Sequence, residues 1–149
     1  MPPLSDRLCR WQPTGDIPEL PLTIFDLAWE GGEERLVVKA QYVGDTGSDT
    51  WGEATIEFEA VWSFKVYEEF MEPFEEAGAY EWPQLAAPVP YGGCYPFVEV
   101  MGSTWLSRLA QRRVAGPELR HFLVASRNMN LHVAAQRGFH PKLTIKKFD

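Results

Sequence analysis

The chain has 149 residues and a formal net charge of −7, with 45% hydrophobic and 23% charged residues. That length fits a single domain over 1–149, able to bury roughly 70% of the surface its unfolded form exposes without help from a metal or disulfide. The composition excludes disorder, and an isoelectric point near 5.0 excludes a general nucleic-acid coat, because phosphate would be repelled.

Residues 1–19 contain Pro2, Pro3, Pro13 and Pro18, which predicts an extended arm over the body. No apolar run follows Met1, so no signal peptide is expected. The longest uncharged stretch, Trp82 to Val98, is interrupted by Pro83, Pro88, Pro90 and Pro96 and is too short to span a membrane as a helix. The chain therefore reads as cytoplasmic, with no membrane partner. Cys9 and Cys94 read as reduced thiols, as cytosolic cysteines usually are.

Residues 20–43 read as a hairpin turning at Gly31-Gly32, with Leu27 opposite Leu36 and Phe25 opposite Val38. Alternation then sends Phe25, Leu27, Leu36, Val38 and Ala40 to one face. The clearest strand is 54–67. Ala54, Ile56, Phe58, Ala60, Trp62, Phe64 and Val66 occupy the even positions, and Thr55, Glu57, Glu59, Ser63 and Lys65 the odd ones. This predicts one half-buried strand, long enough to be strongly twisted or bent. Residues 68–94 are acidic, then rich in Pro, Gly and aromatics, and read as a short helix or turn followed by an ordered loop.

Tyr95–Met101 predicts a short strand ended by Gly102. Ser103 caps a helix over about 103–114, with Trp105, Leu106, Leu109 and Ala110 as its apolar stripe. Leu119–Ser126 and Leu131–Gln136 predict a second hairpin around Asn128-Met129, and Leu143–Phe148 a last strand. The expected fold is α+β: a strongly bent antiparallel sheet of about six or seven strands carrying one main helix. The even face of strand 54–66 is the expected seat of that helix, with Trp62 in the core.

Charge is unevenly placed. Residues 1–107 hold five basic and nineteen acidic residues, whereas 108–149 hold nine basic and two acidic. One reading is that acidic and basic surfaces meet in the fold and neutralise each other. The other is an exposed acidic patch made of Glu57, Glu59, Glu68, Glu69, Glu72, Glu75 and Glu76, which would steer a basic partner.

Motifs that carry chemistry are weak. Asp45-Thr46-Gly47-Ser48 copies the short aspartic-protease signature, but no second Asp-Thr-Gly exists to complete a dyad, and a polar turn explains it. Asp45, Asp49 and Glu53 do not have EF-hand spacing. His121 and His132 share a strand face with Leu123, Ala125 and Ala134, but the expected register sets them roughly 13 Å apart. They read as surface histidines. Ser103 lies in no nucleophile elbow. No catalytic residue, metal site or cofactor is expected. The aromatics are more informative: Trp51, Tyr80, Trp82 and Tyr91 fall in expected loops beside prolines, where such residues often form a binding surface.

Three stretches, FEAVWSFKVYEE at 58–69, YPFVEVMGSTWL at 95–106 and LRHFLVASRNMNLHVAA at 119–135, occur in the order aromatic strand, strand ending in Ser-x-Trp-Leu, Arg-His-aromatic hairpin. This pattern resembles small uncharacterised bacterial proteins found beside polymorphic toxins, to which a role as immunity proteins is assigned. Where that family is expected to carry an acidic residue early in the last hairpin strand, this chain has Leu131-His132. The resemblance implies a non-enzymatic binding protein that neutralises a basic toxin. An enzymatic or small-molecule-binding domain with an aromatic-lined pocket in the bent sheet, and a structural adaptor in a larger assembly, are the alternatives.

Overall fold

A computed structural model describes residues 6–43, 50–68, 82–85, 94–112 and 116–148. Its strands are β1 (Arg7–Arg10), β2 (Leu22–Glu30), β3 (Arg35–Val43), β4 (Thr50–Phe58), β5 (Val61–Glu68), β6 (Phe97–Met101), β7 (Leu119–Ala125), β8 (Met129–Gln136) and β9 (Lys142–Lys147), and its helix is α1 (Thr104–Arg112). All neighbouring strands are antiparallel. The α+β class is as expected. The strand count is higher, and the bend is realised as a break into two sheets. One sheet (sheet A) runs β1-β6-β7-β8-β5 and the other (sheet B) β2-β3-β4-β9.

Period-2 alternation explains the core. Leu36, Val38, Ala40 and Tyr42 on β3, with Ala54, Ile56 and Phe58 on β4, form the dry face of sheet B. They meet Phe122, Val124, Leu131, Val133 and Ala135 of sheet A in one continuous hydrophobic cluster. Trp11, just past β1, stacks on Phe122 at 4.8 Å, so the N-terminal arm supplies both an edge strand and a core ring.

The expected single strand 54–67 is two strands. Ala60 adopts φ 50, and the chain leaves sheet B at Phe58 and enters sheet A at Val61. The register then shifts between Val61 and Ser63, so Trp62 bulges outward and is 45% exposed rather than in the core. That bulge also removes the expected seat of the helix. The Ala54–Ile56–Phe58 face is taken by sheet A, and α1 lies instead on the opposite face of β7.

The first hairpin turns over Gly31–Glu33 as a short 3-10 segment and closes through Glu34 in the left-handed region. Glu30 therefore pairs with Arg35, Leu27 with Val38 and Trp29 with Leu36, two residues away from the expected register. Phe25 lies at a register shift and is 50% exposed, correcting its assignment to the dry face. Cys9 and Cys94 form no disulfide. No described helix is long and apolar enough to cross a membrane.

Candidate functional site

Three turns converge where the chain passes from sheet B to sheet A. The Glu34 carbonyl accepts the Val61 N–H at 2.9 Å, and the Ala60 carbonyl accepts the Gln136 N–H at 3.0 Å. The Gln136 carbonyl accepts the Phe139 N–H at 3.3 Å, closing the turn after β8. These backbone bonds hold the Gly31–Glu34 turn, the Glu59–Ala60 crossover and the Gln136–Phe139 turn as one unit. Between them opens a cleft of about 390 Å³ lined by Glu33, Glu34, Arg35, Glu59, Ala60, Gln136 and Phe139.

Two properties distinguish this cleft. Glu34 (φ 53) and Ala60 (φ 50) both line it, and they are the described non-glycine residues held at positive φ. Such backbone costs of order 1–3 kcal/mol each and persists only where the surroundings over-determine it. The cleft is also acidic. Its guanidinium, Arg35, is engaged by Glu57 across β3–β4 and lies 3.9 Å from Glu30. Glu33, Glu34 and Glu59 are exposed, and the ring of Phe139 is 41% exposed beside them. The nearest added cation on the lining turns, Arg137, is paired with Glu118 at 3.1 Å.

The structure places the expected partner-binding residues in different regions. Glu57 and Glu59 reach the crossover, but not on one wet strand face: Glu57 is half-buried against Arg35, and Glu59 lies past the end of β4. Glu68 ends β5, roughly 23 Å along that strand from Val61. Trp51 is in β4 rather than a loop, half-buried, edge-on to Tyr42 at 5.6 Å and capped by the Lys147 ammonium at 5.5 Å. Trp82 packs on the small outer cluster of Val98, Val100 and Leu123. Glu69, Glu72, Glu75, Glu76, Tyr80 and Tyr91 lie outside the described residues, as does the Asp45-Thr46-Gly47-Ser48 motif. Part of the charge split is neutralised within the fold: Glu53 lies opposite Lys146 and Glu57 opposite Lys142 in the β4–β9 ladder. Arg120 makes a two-pronged bond to Glu99 at 2.8 Å on both arms.

The histidines correct the sequence reading. The hairpin turn is centred one residue earlier than expected, because Ser126 and Asn128 build it. The Ser126 hydroxyl donates to Asn128 Oδ1 and accepts the Met129 N–H. Asn128 in turn exchanges two bonds with the Ile24 backbone of β2. Pairing slides by two, so His121 faces Ala134 and His132 faces Leu123. The rings become diagonal neighbours on one face. His121 Nε2 lies 2.7 Å from His132 Nδ1, and His121 Nδ1 lies 2.7 Å from Ser103 Oγ. Both rings are buried under Trp105, whose ring centroid is 4.9 Å from that of His121 and 6.2 Å from that of His132. Burial, His132 and Lys65 together lower the His121 pKa to about 2. Ser103 is the expected cap as well: its Oγ accepts the Leu106 N–H at 3.1 Å.

Among the described residues, no group of three His, Cys, Asp or Glu side chains is placed to hold a metal ion. No family model, curated protein or solved structure matches the chain.

Proposed function

We propose that this chain is a non-enzymatic binding protein that captures a basic partner protein at the crossover cleft, in the manner of an immunity protein neutralising a basic toxin. The observation that carries the reading is the cleft itself: Glu33, Glu34 and Glu59 open to solvent around an arginine already engaged by Glu57, with Phe139 as an apolar wall. Carboxylates beside an exposed ring suit an arginine or lysine side chain, which can pair with the acid and stack on the aromatic. Binding is favoured over catalysis because the serine nearest a histidine, Ser103, is buried and tied into a helix cap.

The test is capture from the host lysate by the wild-type chain and by a Glu33→Lys, Glu34→Lys, Glu59→Lys variant. A basic protein retained by the first and lost by the second, with an association rate that falls as salt rises, is expected. Equal capture by both chains would overturn the cleft as the docking site. Co-expression with the captured protein then separates the immunity role, which predicts rescue of growth, from simple association.

A further inference from the structure

α1 has no fully buried residue, and its apolar side chains Trp105, Leu106 and Leu109 are half-buried. Its attachments are few and specific. The Ser103 cap reaches His121, and Trp105 stacks edge-on over His121 and His132. The Lys65 ammonium sits 4.5 Å from the Trp105 ring centroid. Asp6, ahead of β1, accepts the Thr104 N–H at 2.6 Å and its hydroxyl at 3.0 Å.

These attachments centre on a hydrogen-bonded chain that works when both rings are neutral. Each neutral imidazole carries one N–H, so the bonds from Ser103 through His121 to His132 can all run in one direction. A single added proton leaves an imidazolium buried beside Lys65. A second sets N–H against N–H across the 2.7 Å contact between the rings. For His121 the influences of burial, His132 and Lys65 all oppose the added proton. β5 presents Lys65 and Tyr67, α1 presents Trp105, and β6 presents Val98 and Val100. Asp6, near the helix start, has both oxygens bound to Thr104.

We propose that Ser103, His121 and His132 form an acid-sensitive latch that holds α1 on sheet A, and that the helix lifts as pH falls and His121 takes up a proton. The sign follows from linkage. His121, once exposed by helix lifting, titrates near the ordinary histidine value of about 6.5, whereas in the closed state it refuses the proton. Above that pH the two states bind protons equally and the latch stays shut. Below it, the lifted state gains about tenfold in population per pH unit through His121. For His121 the gain continues down to its closed-state value of about 2. The sandwich core remains, because Phe122, Val124, Leu131 and Val133 occupy the other face of the same two strands.

Hydrogen exchange of the full chain between pH 7.5 and 4.5, corrected for intrinsic exchange, tests this. Protection over 104–112 should fall by about tenfold or more per unit below pH 6.5 while β3 and β4 amides stay protected. A His121→Gln variant, which keeps a hydrogen-bonding side chain without titrating, should show a shallower pH dependence. Unchanged α1 protection at pH 4.5, loss in step with β3 and β4, or the same slope in the variant would each overturn the latch. Should the variant not fold, imidazole NMR of the wild-type chain decides: a His121 ring that titrates normally under a docked α1 overturns the proposal, and one that stays neutral until α1 exchanges supports it.

Discussion

Gly52 is the position where one methyl group should have the largest effect on sheet B. It is buried in β4 opposite Lys147 of β9. A Cβ built there would overlap the Lys146 carbonyl oxygen, with Lys147 Cα at 3.0 Å and the Lys146 carbonyl carbon at 3.2 Å. The obstructing atoms are backbone, so no rotamer change relieves them, and β9 must move by roughly 1 Å in a close-packed setting. The least costly escape is fraying of the last residues of β9, which gives up the Lys147 pairing and the bond from the Phe148 N–H to the Trp51 carbonyl at 2.9 Å. Two or three such bonds at about 0.5–1.5 kcal/mol each give about 1–4 kcal/mol. Overpacking elsewhere costs a similar 1–3 kcal/mol or so. Gly52→Ala should therefore lose about 2 kcal/mol in urea titration, and exchange at Lys147 and Phe148 should rise before that of β3. A loss under about 0.5 kcal/mol with Phe148 still protected would show that β9 accommodates the methyl and would refute the reasoning.

Phe122 is 1% exposed and packed between Trp11 and Phe58, so Phe122→Ala should cost about 3–5 kcal/mol, while Trp62→Ala, at a bulged and 45% exposed site, should cost under about 1 kcal/mol. Thermal melts that rank the two in the opposite order would invalidate the assigned core. Tyr42 is fully buried, its hydroxyl has no hydrogen-bond partner among the described residues, and burial raises its pKa. Tyr42→Phe should be neutral or stabilising by about 1–2 kcal/mol in urea titration, and a clear loss would reveal a partner for the hydroxyl.

Side-chain parity was legible in the sequence and strand register was not. In both hairpins the observed pairing differs from the expected one by two residues. A shift of two leaves every side chain on its face. Leu36, Val38, Ala40, Phe122, Val124, Leu131 and Val133 are therefore buried as the alternation predicts. The same shift changes who touches whom, and it brings His121 within hydrogen-bonding distance of His132. The outer face of that hairpin looked solvated because it carries two histidines. Leu123, Ala125 and Ala134 on the same face were the available sign that something covers it, and Trp105, whose expected seat on strand 54–66 is taken by sheet A, is what does. The sheet change at Glu59–Ala60 left no sign at all: apolar residues continue at even positions through Val66, and the left-handed residue is an alanine, not a glycine.

The charge split behaves differently in three dimensions than along the chain. Glu68 sits at the end of β5 away from the crossover, roughly 23 Å from Val61, while mobile ions screen exposed charges over about 8 Å at physiological strength. At nearly three screening lengths Glu68 adds almost nothing to the field over the crossover cleft. Glu53 and Glu57 are further weakened by Lys146 and Lys142 across the ladder. Among the described residues, what remains concentrated is Glu33, Glu34 and Glu59, which belong to two turns twenty-five residues apart in sequence and are brought together by the β3–β4 ladder and the Glu34–Val61 backbone bond. Of the contiguous acidic run, Glu69, Glu72, Glu75 and Glu76 lie outside the described residues. Among the described residues, the acidic unit with a focused field is the one that the sheet change assembles, with an aromatic wall from a third turn. Among the described residues, pairing and screening therefore leave the crossover acids as the cluster whose field is least offset, and the proposed capture of a basic partner rests on that cluster.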